Sequence, residues 1–129
     1  MENKVVLLDT SVLIDYYRKK DKRKTLLFDL TQTYQILAVS AVTHFEIYVG
    51  APHEQISFWN SFFQEVTVLP FNSETSVIAA NIDKELKRKR KQIDIPDLFI
   101  AATAISNNLS CATLNKKHFD RIENLHLIL

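Results

Sequence analysis

Residues 5 to 8 form an unbroken apolar run, Val5-Val6-Leu7-Leu8, two of them β-branched. So short and continuous a run predicts a strand covered on both faces. Asp9 ends the run, Thr10 and Ser11 are good helix N-caps, and Val12, Leu13 and Tyr16 then recur at helical spacing up to Arg18-Lys19-Lys20. The alternation repeats along the chain. Leu26, Leu27 and Leu30 predict a helix over about 25–32, and Tyr34 to Val39 holds a short strand. Ser40 caps a helix over 41–49 that Gly50-Ala51-Pro52 stops.

A third strand is predicted over 66–69, closed by Pro70. A long helix opens at Asn72 or Ser73, with Ile78, Ile82 and Leu86 at i, i+4 and i+8. Pro96 suits the first turn of a further helix whose buried stripe is Leu98, Ala101, Ala102, Ile105 and Leu109. Residues 111–114 predict a fourth strand, and 125–129 a last one able to close the sheet. Strands alternating with helices mean an α/β fold on a mostly parallel sheet with helices on both faces.

Glu54 to Gln64 departs from an ordinary amphipathic helix. Ile56, Trp59 and Phe63 share one face, and Phe58 and Phe62 form a second stripe beside it. That is more aromatic surface than one helix of a small domain normally buries, so the second stripe is either core or an interface.

The 129 residues fit a single domain, 1–129, and a content of 47% hydrophobic and 24% charged residues is ordinary for a globular protein. Gly50 is the only glycine, which excludes glycine-rich phosphate loops. The lone Cys111 has no disulfide partner and reads as a buried thiol, consistent with the cytoplasm. Absence of a signal sequence after Met1 and of a roughly 20-residue apolar span gives the same expectation, with no membrane association. Net charge is only +1, but 18–24 and 84–91 each carry six basic residues. These are either solvated helix ends or contacts for a polyanion.

Three carboxylates fall where a parallel sheet gathers its ligands: Asp9 after the first strand, Glu46 on the helix after the second, and Asp97 opening a late helix. Each also has a plain structural reading, as helix cap, surface residue and helix-end charge respectively. Jointly they predict negative charges converging on one cleft, which repel unless a divalent cation is bound. Oxygen donors without paired His or Cys spacing select Mg²⁺ or Mn²⁺ over zinc. Such a site beside basic clusters suits phosphodiester hydrolysis by a metal-activated water.

Four stretches, 8–15, 40–46, 97–104 and 113–119, resemble the PIN-domain ribonucleases, and within them the VapC-type toxins of toxin–antitoxin pairs. The resemblance implies a three-layer α/β/α sandwich and Mg²⁺- or Mn²⁺-dependent cleavage of RNA. It also implies homodimers and a small antitoxin protein that blocks the cleft. Asp9, Glu46 and Asp97 match the family's acidic positions, with Asp9 and Asp97 as metal ligands and Glu46 as ligand or base. At the fourth position, often Asp in the family, this chain has Asn115, with His118 and Asp120 nearby. Alternatives are a PIN nuclease of RNA or DNA processing outside a toxin pair, and an inactive PIN-fold binding module.

Overall fold

The computed structural model describes residues 4–128. Strands β1 (Val5–Leu8), β2 (Ile36–Ser40), β3 (Thr67–Leu69) and β4 (Ser110–Ala112) form one sheet in the order β3-β2-β1-β4, every pairing parallel. Helix α1 (Thr10–Arg18) follows β1, and α2 (Leu26–Thr31) leads to β2. Helices α3 (Ala41–Gly50) and α4 (Ile56–Gln64) join β2 to β3, and α5 (Ser73–Arg88) and α6 (Ile95–Ser106) join β3 to β4. A single turn, α7 (Lys116–Phe119), follows β4.

The alternation of side chains along each strand separates two cores. Val6, Leu8, Val39 and Ala112 face α1, α2, α3 and α4, where Val12, Leu13, Leu27, Leu30, Ile47 and Trp59 meet them. Leu7, Ala38 and Cys111 face the opposite way, onto Leu86, Ile100, Ala101, Ala104 and Phe119. Helices therefore cover both faces, as a run of consecutive apolar residues in β1 requires. The fold is a three-layer α/β/α sandwich. The alanines of α6 permit close packing: Ala102 meets Ala79 of α5 with Leu98 beside it.

Ser40 and Asn72 cap their helices as expected, Ser40 Oγ accepting from Thr43 N and Asn72 Oδ1 from Thr75 N, and Thr25 Oγ1 accepts likewise from Phe28 N. Thr10 and Ser11, expected as caps, lie inside α1 because the N-cap position falls on Asp9. The ends of the predicted strands need correction. β4 stops at Ala112 because Thr113 and Leu114 turn toward the end of β1, where their hydroxyl and backbone N–H find partners. The strand predicted over 125–129 shrinks to one parallel bridge, Cys111 to Leu127, flanked by bonds from Cys111 N to His126 O and from Ile128 N to Cys111 O. Leu129 lies outside the described residues.

The second aromatic stripe of α4 is also resolved. Phe58 and Phe62 are half-buried against Tyr16 and Tyr17 of α1, with ring centroids 4.9–6.4 Å apart. Trp59 is only 2% exposed. Two tyrosines on α1 supply the cover that periodicity on α4 alone does not reveal.

Candidate active site

The carboxyl ends of β1 and β4 lie side by side, and each presents a short polar sequence to the other. Asp9 is the N-cap residue of α1, yet its carboxylate makes no capping bond. It is 2% exposed, and Oδ2 instead accepts from Ser11 Oγ and from Thr113 Oγ1, both at 2.7 Å. Ser11 Oγ in turn accepts from Leu114 N at 3.0 Å, and Thr113 Oγ1 from Asn115 N at 2.9 Å. The hydroxyls thus satisfy one oxygen of a buried carboxylate and fix its orientation. No hydrogen bond reaches Asp9 Oδ1 among the described residues, and no buried side-chain oxygen lacks a partner there, so Oδ1 is the atom open to the cleft.

Asp97, in the first turn of α6, has its Oδ2 3.2 Å from His118 Nδ1 on α7. Burial pushes the Asp97 carboxyl above its usual range; the contact with His118 works against this, and the charges of Asp9 and Asp94 add to the rise. Asp9 is bonded to Thr113 and Asp97 touches His118, and Thr113 and His118 line one cavity, so the two carboxylates flank the same cleft. Beneath it, burial raises the Cys111 thiol, and the charges of Asp9 and Asp97 raise it further. Cys111 is an inert core group.

Glu46 is held by α1, through the residue next to Asp9. Its Oε1 accepts from Thr10 Oγ1 at 2.7 Å, and Thr10 Oγ1 lies 2.9 Å from Thr43 Oγ1. Glu46 is not among the charges acting on Asp97, and it lines a cavity with Arg18 between α1 and α3. Asn115 stands exposed at the start of α7, lining a cavity with Thr113 and His118, while Asp120 closes α7 on its exposed side. Among the described residues, no three His, Cys, Asp or Glu side chains are gathered closely enough to hold an ion by themselves. The donor chemistry still fits a hard cation: two carboxylates, one with an oxygen free of hydrogen bonds and open to the cleft, and nearby amide and hydroxyl oxygens. Mg²⁺ is held in this way, by one or two carboxylates with water and substrate phosphate completing its shell.

Sequence reasoning read Thr10 and Ser11 only as helix N-caps, whereas both lie inside α1, whose N-cap residue is Asp9, and it gave Thr113 no role in the site. Their signal was present as hydroxyl residues directly after the two strand ends, Asp9-Thr10-Ser11 and Ala112-Thr113. It was ambiguous because the same residues serve as ordinary helix caps.

A profile of the PIN domain family matches residues 6–125. Ribonuclease VapC1 of Methanocaldococcus jannaschii is 35% identical over 98% of this chain and 87% of its own length. Ribonuclease VapC2 of Haemophilus influenzae is 30% identical over 90% of both. Among solved structures, DNA-bound VapBC from Salmonella typhimurium superposes with a TM-score of 0.85 at 25% identity, covering 98% of each chain. VapBC-1 from nontypeable Haemophilus influenzae gives 0.83 at 26% identity over 96% of each. With the fold, the acidic cleft and a match over nearly the whole chain in agreement, the protein belongs to the PIN-domain family, in its VapC-type branch.

Proposed function

We propose that the protein is a metal-dependent endoribonuclease, the toxin of a toxin–antitoxin pair, which hydrolyses RNA phosphodiesters at the Asp9–Asp97 cleft. The single observation that carries this reading is the pairing of two carboxylates in that cleft, one buried at 2% exposure with a free oxygen. The names of the relatives, ribonuclease VapC1 and VapC2, support RNA as substrate, and the VapBC and other toxin–antitoxin complexes among similar structures support a small antitoxin partner. A homodimer belongs to the same reading.

In this reading Asp9 and Asp97 would hold Mg²⁺ or Mn²⁺, which would supply activation of a water and neutralisation of phosphate charge. Ser11 and Thr113 hold Asp9 in position, and His118 holds Asp97. Glu46, oriented by Thr10, is the candidate proton acceptor. Asn115 presents an amide at the cleft mouth, suited to hydrogen-bond a water or phosphate oxygen.

The test is incubation of the purified protein with RNA in Mg²⁺ or Mn²⁺, with and without chelator, beside Asp9→Asn and Asp97→Asn. Metal-dependent internal cuts, abolished by either substitution, support the reading. Cleavage that survives both substitutions overturns it.

A further inference from the structure

The two basic runs of the sequence do not carry equal free charge. Lys22 is already committed: its Nζ donates to the carbonyl oxygens of Tyr16, Tyr17 and Lys19 at 2.6–2.8 Å. Lys19 pairs with Asp15, and Arg23 with Asp21. In the second run Lys87 pairs with Asp83, Arg88 with Glu85, and Lys89 with both Glu85 and Glu123. Arg18, Lys116 and Lys117, by contrast, have no ion-pair or hydrogen-bond partner for their side chains among the described residues.

Those three also occupy distinctive places. Three cavities of about 310, 320 and 380 Å³ share lining residues in turn, Ile14 and Arg18 between the first two and Leu114 between the last two, and lead from the far end of α1 along that helix to the end of β4. The first holds Glu46 and Arg18, the second Arg18, Ser11, Leu114 and Asp15, whose charge is paired with Lys19, and the third Leu114, Thr113, Lys116, Lys117 and His118. The path therefore passes over Ser11 and Thr113, the two donors to Asp9, and ends at the His118 that touches Asp97. The other unpartnered basic residues among those described, Lys4, Lys20, Lys24, Lys84, Arg90 and Lys91, line none of these cavities.

We infer that this groove is the seat of a single RNA strand, with Arg18 holding phosphates on one side of the Asp9–Asp97 cleft and Lys116 and Lys117 on the other. The inference rests on the ribonuclease reading. A polyanion crossing an acidic centre meets repulsion there, and positive charge on both flanks offsets it. Leu114, half exposed in the middle of the groove, and Ile14 give apolar contact for a base or sugar between the flanking phosphates.

The experiment measures binding of a short, fluorescently labelled, mixed-sequence single-stranded RNA over a range of salt, in chelator so that no strand is cut. Arg18→Gln, and separately Lys116→Gln with Lys117→Gln, are compared with the triple control Lys84→Gln, Arg90→Gln, Lys91→Gln. Each lost contact is expected to weaken binding about fourfold at about 0.15 M salt and to flatten the log–log salt slope by about 0.7. The control keeps the wild-type affinity and slope. Wild-type affinity in the groove variants, or a larger loss in the control, overturns the path while leaving the ribonuclease reading intact. Unchanged RNA binding with lost retention of a co-expressed antitoxin reassigns the groove to a protein and overturns the inference likewise. A wild-type chain that neither binds nor cuts RNA overturns the function itself.

Discussion

Thr113 Oγ1 donates to Asp9 Oδ2 across 2.7 Å, a bond between side chains 104 positions apart. It ties the end of β4 to the end of β1 at the buried carboxylate. Thr113→Val keeps the shape and removes the donor, leaving Asp9 with the Ser11 hydroxyl alone. A hydrogen bond to a buried charged group contributes about 1.5–3 kcal/mol, and a loss of that size is expected in denaturant unfolding. Thr113→Ser should restore most of it. Thr33→Val, at an exposed position, should stay within about 0.5 kcal/mol of wild type. Equal midpoints for Thr113→Val and wild type would show that Asp9 does not depend on this bond.

Asp97 should make the metal-free protein less stable as pH rises. Its carboxyl is held above the usual range, chiefly by burial, so the folded state binds its proton more tightly than the unfolded chain does. Between the ordinary carboxylate pKa and the raised one, the native state carries more protons, and stability falls with increasing pH. The deficit then persists at neutral pH. Asp97→Asn removes it, so the variant should melt higher than wild type at pH 7 without added metal, with the gap closing in acid. A variant that melts lower at pH 7 contradicts the unfavourable charge assigned to Asp97.

Much of the fold was legible because β1 is apolar on both faces and helices follow strands at regular intervals. What escaped depended on contacts distant in sequence. The cover for Phe58 and Phe62 comes from Tyr16 and Tyr17, some forty residues away, so a periodicity reading of α4 alone left that stripe open. The end of β4 was misplaced for the same reason: Thr113 extends the apolar pattern locally, yet its hydroxyl bonds to a carboxylate on another strand. In the site, the positions of Asp9 and Asp97 at element ends were readable from residue type and order. The bond that holds Glu46 to Thr10 was not, since it joins positions 36 apart.

Lys22 should behave as a structural residue despite its place in a basic run. Its ammonium satisfies carbonyls at the end of α1, which otherwise lack helical partners, and lies 5.1 and 5.5 Å from the centroids of the Tyr16 and Tyr17 rings. Lys22→Met keeps the length and removes every donor. The expected cost is about 1–3 kcal/mol, whereas Lys20→Met should change stability by less than about 0.5 kcal/mol. Thermal or denaturant melts of the two variants decide this, and equal melts would return Lys22 to the solvated surface.

Trp59 reports on the aromatic face of α4 without labelling. It is 2% exposed, its Nε1 donates to Gln55 Oε1 at 3.3 Å, and Tyr17, Phe58, Phe62 and Phe63 surround its ring at 4.9–6.0 Å. Emission should therefore be blue-shifted and unchanged on dilution, since its burial is complete within one chain. Phe58 packs edge-on to both Tyr17 and Trp59 at 4.9 Å. Phe58→Ala should thus destabilise the monomer by about 2–3 kcal/mol, below the range for fully buried rings because Phe58 is half-buried. Phe45 gives the contrast: it is 63% exposed on α3, so Phe45→Ser should leave the melt nearly unchanged. If emission instead shifts to the red on dilution and Phe58→Ala melts normally, α4 meets a second chain, and the aromatic contacts with α1 contribute little to the fold.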